Sequence, residues 1–287
     1  MNMKAKEQEK ILKLFSVDSF GKKIQGCDGC IIPTVIYGKK VYFKFLPKEW
    51  KDRIKKEIEI VKILKNNGCK VPEYFEFNKN IIFEDDDEIF YASYEVSGIP
   101  YVEDMNIDIL KDIVIELARM HKVLKKIPVD DEKESDINRF HTFYNNNRLF
   151  FENENLSLFI DDILENVFEE EAYSYIHADV NFRNIFVQDG HLTSFIDFTD
   201  LRVGYLEDDL GKLFQNILYL DLTGDKLNEL ILAYEKELGQ KTNRDNLLLS
   251  IIFRIMYRYF GFVNNNEGNK EEYKEKTERI LQKILRR

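Results

Sequence analysis

Ile176-His177-Ala178-Asp179-Val180-Asn181-Phe182-Arg183-Asn184 runs on without a break through Ile185-Phe186-Val187-Gln188-Asp189-Gly190-His191-Leu192-Thr193-Ser194-Phe195-Ile196-Asp197-Phe198. Asp189-Gly190 between two apolar-rich runs is the pattern of a two-residue hairpin. A tight hairpin returns the chain to where it started. Asn184, at the start of one strand, is therefore expected close to Asp197, at the end of the other. Asp179 precedes Asn184 by five residues, in a polar loop after Tyr175-Ile176. Three oxygen-bearing side chains should thus converge at one end of a small ribbon. Hard cations such as Mg²⁺ take oxygen ligands and keep only one or two from the protein, which suits Asn184 and Asp197. Asp179 is left to accept a proton from, or orient, an attacking hydroxyl. Asp and Asn are common in turns, so each alone says little, and the combined spacing carries the reading.

Upstream of this island the chain is β-rich. Ile31 to Tyr37 and Val41 to Leu46 are β-branched and aromatic runs, with Gly38-Lys39-Lys40 read as the turn between them. A helix is expected from about Glu49 to Asn67, on the spacing of Ile54, Ile58, Val61 and Leu64, with Gly68 just past its end. Two further strands are expected at 80–84 and 88–96, about the acidic turn Asp85-Asp86-Asp87. Gly98 and Pro100 then punctuate the chain, and helical patterns take over. Leu110, Ile113, Val114, Leu117, His121 and Leu124 mark one helix, and others are expected over 156–170, 210–220, 226–238, 247–262 and 270–285. Asn145-Asn146-Asn147 and Asn264 to Asn269 read as surface loops. The expected architecture is an α+β fold of two lobes with a cleft between them. A small β-rich N-terminal lobe spans 1–96 and a larger helical C-terminal lobe spans 97–287.

Composition bounds the function. Of 287 residues, 44% are hydrophobic and 33% charged, an ordinary globular balance able to bury a core. The net charge is −10, which argues against nucleic-acid binding and weakly favours cationic small ligands. Three cysteines, Cys27, Cys30 and Cys69, make no disulfide framework. Cys27-Asp28-Gly29-Cys30 has the CxxC spacing, but a zinc site needs four ligands, and two small residues in a glycine-rich turn explain it better. Residues 1–15 have no signal-peptide core, and Arg254 and Arg258 interrupt the most apolar stretch, 247–263, so no membrane span and a cytoplasmic location are expected.

His177-x-Asp179-x-x-x-x-Asn184, a hairpin, and Ile196-Asp197-Phe198 together resemble the aminoglycoside phosphotransferase family, within the protein-kinase-like fold. Leu117-Ala118-Arg119-Met120-His121 looks like the family's Leu-x-x-x-His helix, and Val96 to Pro100 like the segment after the interlobe hinge. Tyr42-Phe43-Lys44-Phe45 looks like the strand that bears the phosphate-contacting lysine. The resemblance covers most of 20–215. It implies a catalytic Asp179, metal ligands Asn184 and Asp197, and nucleotide contacts from Lys44, Glu57, Tyr94, Val96 and Ile196. Asp200 matches a position that contacts the acceptor in some members, although a solvated loop aspartate explains it about as well. His177 is expected to brace its loop and His121 to pack in its helix, neither acting as a base.

Lys44 is an isolated cation in an apolar strand, where a partner carboxylate would help hold it. Glu57, thirteen residues on, is the expected partner. Glu59 is its rival, but it lies about 200° round the helix, so only one of the two can face inward. Gln25 to Cys30 is weaker as a phosphate loop: its glycines would let backbone amides approach phosphates, but it is no GxGxxG. Gly204-Tyr205-Leu206-Glu207-Asp208-Asp209 lacks the Asp-Pro that the family often places there, yet keeps Asp209 at the matching spacing.

The function implied is Mg²⁺-dependent transfer of the γ-phosphate of ATP or GTP to a hydroxyl of a small molecule. An aminoglycoside is the preferred acceptor, and choline, homoserine or sugar types are alternatives. Carboxylates near Asp200, with Asp221, Asp225 and Glu229 as candidates, would attract a cationic acceptor. A monomer or homodimer is expected. A protein kinase is disfavoured, since no Ala-Pro-Glu follows Asp197 and no long activation loop fits before Asp209. A silent nucleotide-binding scaffold would normally have lost one of Lys44, Asp179, Asn184 or Asp197, and all four are present.

Overall fold

In the computed structural model, residues 6–26, 29–85, 87–101, 106–130, 136–147, 158, 160–162, 164, 173–219, 225–264 and 270–285 are described. The chain divides into two compact units: 1–98 with 193–199, and 99–192 with 200–287. The first is built on β-strands and the second on helices, a mixed α+β fold.

In the first unit, helix α1 (Lys6–Leu14) precedes strands β1 (Ser19–Phe20), β2 (Ile24–Gln25), β3 (Cys30–Ile36) and β4 (Lys39–Pro47). Helix α2 (Lys51–Asn66), β5 (Phe83–Glu84) and β6 (Glu88–Tyr94) follow. The sheet is antiparallel in the order β1-β3-β4-β6-β5, with β2 also on β3. Alternation sorts its faces. Val41, Phe43 and Phe45 of β4 join Ile32, Phe90 and Ala92 in a core that Ile11 and Phe15 complete. Phe15 meets the rings of Phe43, Phe75, Phe77 and Phe83 at centroid distances of 5.4, 5.6, 5.0 and 5.2 Å. Lys10 of α1 is 7% exposed and reaches Asp85 at 2.7 Å and Glu88, so a buried cation is paired twice. Lys44 falls on the opposite face by the same alternation, next to Tyr91 in the β4–β6 register.

The turn between β3 and β4 is Tyr37-Gly38, with φ of 52° and 71°. Such a turn needs positive φ at both central positions, so Lys39 and Lys40 begin the strand instead of closing the turn.

The second unit carries β7 (Ile99–Pro100), α3 (Ile107–Leu124), α4 (Asp136–Asn147), β8 (Ser174–Ile176) and β9 (Ile185–Gln188). Strand β10 (His191–Phe195) leads the chain into the first unit at Thr193. After the chain returns come β11 (Arg202–Gly204), α5 (Leu206–Tyr219), α6 (Asp225–Leu238), α7 (Arg244–Asn264) and α8 (Lys270–Leu285). Asp189 and Gly190, with φ of 52° and 79°, form the expected turn between β9 and β10. A two-stranded ribbon pairs β8 with β11, Ile176 opposite Arg202. At Gly211 an added Cβ would stand 2.1 Å from Ser250 Oγ, so α5 and α7 cross with no room for a side chain.

Asn145-Asn146-Asn147 ends α4 instead of forming a loop. Tyr144 beside it is buried, and the tertiary packing of α4 outweighs the turn preference of asparagine. Most of the helix expected over 156–170, and the loop at 265–269, lie outside the described residues. A buried network ties α4 to β11, α5 and α7. Asp136, fully buried, accepts from Arg202 at 2.9 Å, Ser250 at 3.1 Å and Arg254 at 2.5 and 2.7 Å, while its own N–H donates to Asp208. Among the described residues, no helix is long and apolar enough to cross a membrane.

Candidate active site

The first unit gathers Lys44, Glu57 and Asp197. Lys44 Nζ meets Asp197 Oδ1 at 2.7 Å and also donates to Thr199 Oγ1. Thr199 Oγ1 in turn donates to Asp197 Oδ1 at 2.6 Å. Asp197 has φ of 61°, a strained left-handed backbone at the residue that holds the lysine.

The expected Lys44–Glu57 pair is not formed. Glu57 turns inward from α2 while Glu59 is exposed, but it accepts from Tyr74 at 2.6 Å and from Tyr91 at 3.2 and 3.3 Å. Burial pushes Glu57 up to about 7, against the pull of the Tyr74 hydrogen bond and the Lys44 charge. A carboxyl so desolvated is a poor counter-ion, and the half-exposed Asp197 takes the lysine. Tyr94 packs its ring against Phe75 and the core, on the face away from Lys44, while Val96 and Ile196 are half-buried.

At the expected phosphate loop, β2 and β3 pair Gln25 with Cys30. Gly26 N–H donates to Gly29 O at 2.9 Å, and a Cβ on Gly29 would stand 1.9 Å from Phe45 O. Packing against β4 alone therefore requires that glycine. Cys27 and Asp28 lie outside the described residues, and Cys30 is buried with its thiol raised by burial.

The second unit holds Asp179 and Asn184. Buried Asp209 of α5 anchors the loop: Oδ2 accepts His177 N–H at 2.9 Å and Oδ1 accepts Ala178 N–H at 2.7 Å. Ala178 has φ of 66°, so the carboxylate clamps a strained turn just before Asp179. His121 Nε2 donates to Asp209 at 3.0 Å, and the Tyr234 hydroxyl hydrogen-bonds His121 Nδ1 at 2.6 Å. Burial raises the Asp209 carboxyl, yet His121 and the loop's amides more than offset it, and it stays below its usual range. His177 Nδ1 accepts the Asp179 N–H at 3.3 Å and so braces the loop.

The Asp179 carboxylate is held on both oxygens. Oδ2 accepts the amides of Asn181 at 2.7 Å and Asn184 at 2.8 Å, and Oδ1 meets Lys212 Nζ of α5 at 3.1 Å. Burial raises this carboxyl, but Lys212 and Asn181 pull it below the ordinary aspartate value, so it is ionised at neutral pH. Asn184 spends its NH₂ group on Asp179, which leaves Oδ1 to accept or to ligate. Asp200 and Asp225 are exposed, Asp221 lies outside the described residues, and Glu229 is already paired with Lys111 at 2.6 Å.

Lys212, Asn181, Thr199, Tyr74 and Tyr91 are the site-forming residues that sequence reading passed over. Lys212 carried one usable signal: it lies three residues after Asp209, on the same face of a helix.

The sequence matches the model of the APH phosphotransferase enzyme family over residues 34–247. No curated protein matches the chain in sequence. A microcompartment-associated aminopropanol kinase shares the fold at a TM-score of 0.70 and 15% identity, covering 97% of this chain and 94% of its own. The aminoglycoside phosphotransferase APH(4)-Ia aligns at 0.66 and 12% identity, with 96% and 97% covered. The spectinomycin phosphotransferase APH(9)-Ia, solved with ADP and spectinomycin, aligns at 0.64 and 12% identity, with 100% and 98% covered. The family match spans most of the chain, and these structures share its kinase-like architecture: the chain belongs to the APH phosphotransferase enzyme family, and is a small-molecule kinase.

Proposed function

We propose that this kinase moves the γ-phosphoryl group of ATP or GTP to a hydroxyl of a small amine-bearing molecule, with an aminoglycoside as the preferred acceptor. The observation that carries the reading is the Asp179 carboxylate, held ionised on a clamped loop beside Asn184. In that reading Asp179 orients the acceptor hydroxyl and takes its proton. Lys44 contacts phosphate oxygens, and Val96 and Ile196 support the nucleotide. Asn184 and Asp197 would hold Mg²⁺. The donor set suits the ion: an amide oxygen and a carboxylate are hard ligands, and magnesium completes its shell with phosphates and water. When bound, the ion supplies charge neutralisation to the phosphates. Asp200 and its exposed neighbours would meet the acceptor's amines. A cytoplasmic enzyme that inactivates an antibiotic is the corresponding biological role.

The test is nucleotide turnover with Mg²⁺ across aminoglycosides, aminopropanol, choline and other small alcohols. Turnover is expected only with an amine-bearing acceptor. Asp179→Asn should keep nucleotide affinity and lose about 10²–10⁴-fold in kcat, the usual worth of a general base. Full activity in that variant would remove Asp179 from the mechanism.

A further inference from the structure

Lys212 is placed at the reacting end of Asp179 by the same helix face that clamps the loop. Asp209 and Lys212 lie three residues apart in the first turns of α5. The first fixes the backbone of His177 and Ala178, and the second sets an ammonium 3.1 Å from Asp179 Oδ1. The carboxylate does not need this cation for its orientation. Two amides at 2.7 and 2.8 Å already fix Oδ2. Nor is the pair an obvious stabiliser: the side chains are only 23% and 26% exposed, and desolvation of a partly buried pair offsets much of its attraction. An ammonium has three donors, and among the described residues Asp179 is the one partner of the Lys212 ammonium. Two N–H groups are left for a ligand at this spot.

Geometry limits what that ligand is. A hydroxyl giving its proton to Asp179 sits about 2.6–3.2 Å from the carboxylate. The phosphorus it attacks lies about 3–3.5 Å beyond, and its negative charge is spread over three equatorial oxygens. A cation 3.1 Å from the carboxylate oxygen can come within hydrogen-bond reach of those oxygens. We propose that Lys212 is a catalytic residue that donates to the phosphoryl group in flight. The inference rests on the reading of Asp179 as the hydroxyl-orienting base. In the step, the acceptor O–H proton passes to Asp179 and the acceptor oxygen forms the new bond to γ-phosphorus. The bond from γ-phosphorus to the bridging oxygen breaks, and the nucleoside diphosphate leaves with the electron pair. Lys212 keeps its proton throughout and stabilises charge alone.

The experiment uses the full chain with Mg²⁺, nucleoside diphosphate, aluminium fluoride and the best acceptor, a mixture that mimics the planar phosphoryl group. Lys212→Met should bind the Mg-nucleotide as the wild type does, with KM values within about threefold, while kcat falls about 10²–10³-fold, the cost of one removed charge-stabilising donor. Its fluoride complex should weaken at least tenfold, and Lys212→Arg should recover most of that loss. Adding Lys212→Met to Asp179→Asn should weaken the complex further, because the lysine acts on the phosphoryl group directly. Equal fluoride affinity in Lys212→Met and wild type, or no added loss in the double variant, would reduce Lys212 to a positioning residue and overturn the proposal. Wild type that binds no Mg-nucleotide would instead overturn the phosphotransfer reading beneath it.

Discussion

Burial makes Glu57 a titrating group near pH 7, far from the surface carboxylate range, against the pull of its two phenol donors. The folded state holds its proton more tightly than the unfolded chain, whose ordinary value is 4.5. Between about 4.5 and 7 the native state therefore binds more protons, and its stability falls as pH rises through that window. Thermal unfolding followed from pH 5 to pH 8 should show this fall. Glu57→Gln, always neutral, should flatten it, and an unchanged slope in that variant would remove Glu57 as its source. Residue-scale chemistry was only half legible in the sequence. Asp179, Asn184, Asp197 and Lys44 stand out because their types and spacing are unusual for their elements. The partner of Lys44 did not, because the choice between Glu57 and Asp197 depends on how far each carboxyl is desolvated, which only packing decides.

Helix α1 is the element whose contribution exceeds its nine residues. Its Ile11 and Phe15, the residue just past its end, close the core of the sheet, and Lys10 ties the helix to Asp85 and to Glu88 at the start of β6. Phe15→Ala should destabilise the fold by about 3–5 kcal/mol, as truncation of a buried phenylalanine does. Denaturant unfolding would measure it, and a loss under about 1 kcal/mol would mean that α1 is not part of the cooperative core. The helical spacings of α3, α6, α7 and α8 and the hairpin at Asp189-Gly190 could be read directly, since periodicity and turn chemistry are local. The β8–β11 ribbon could not: three-residue strands with partners 26 residues apart at Ile176 and Arg202 leave no local pattern. Helix α4 was hidden for the opposite reason. Its asparagine-rich end argues locally for a loop, and Asp136 at its start is fixed by Arg202 and Arg254, contacts that form only on folding.

At the scale of the molecule, a net charge of −10 favours approach of cationic acceptors from solution. Attraction between exposed charges is screened over about 8 Å at physiological salt. KM for an acceptor should therefore rise with salt, more steeply with more amines, while kcat stays level. Asp200→Asn should raise KM for a cationic acceptor more than it lowers kcat. A KM that ignores both salt and Asp200 would separate acceptor recognition from the protein's charge. The chain itself passes between its two units three times, since 193–199 belongs with 1–98. No single run of codons encodes the first unit, and its lysine and the aspartate that meets it are separated by 153 residues of reading frame. Recombination that swaps the front of the gene alone would deliver Lys44 to a foreign Asp197, so the two positions are expected to be inherited and to drift as a linked pair.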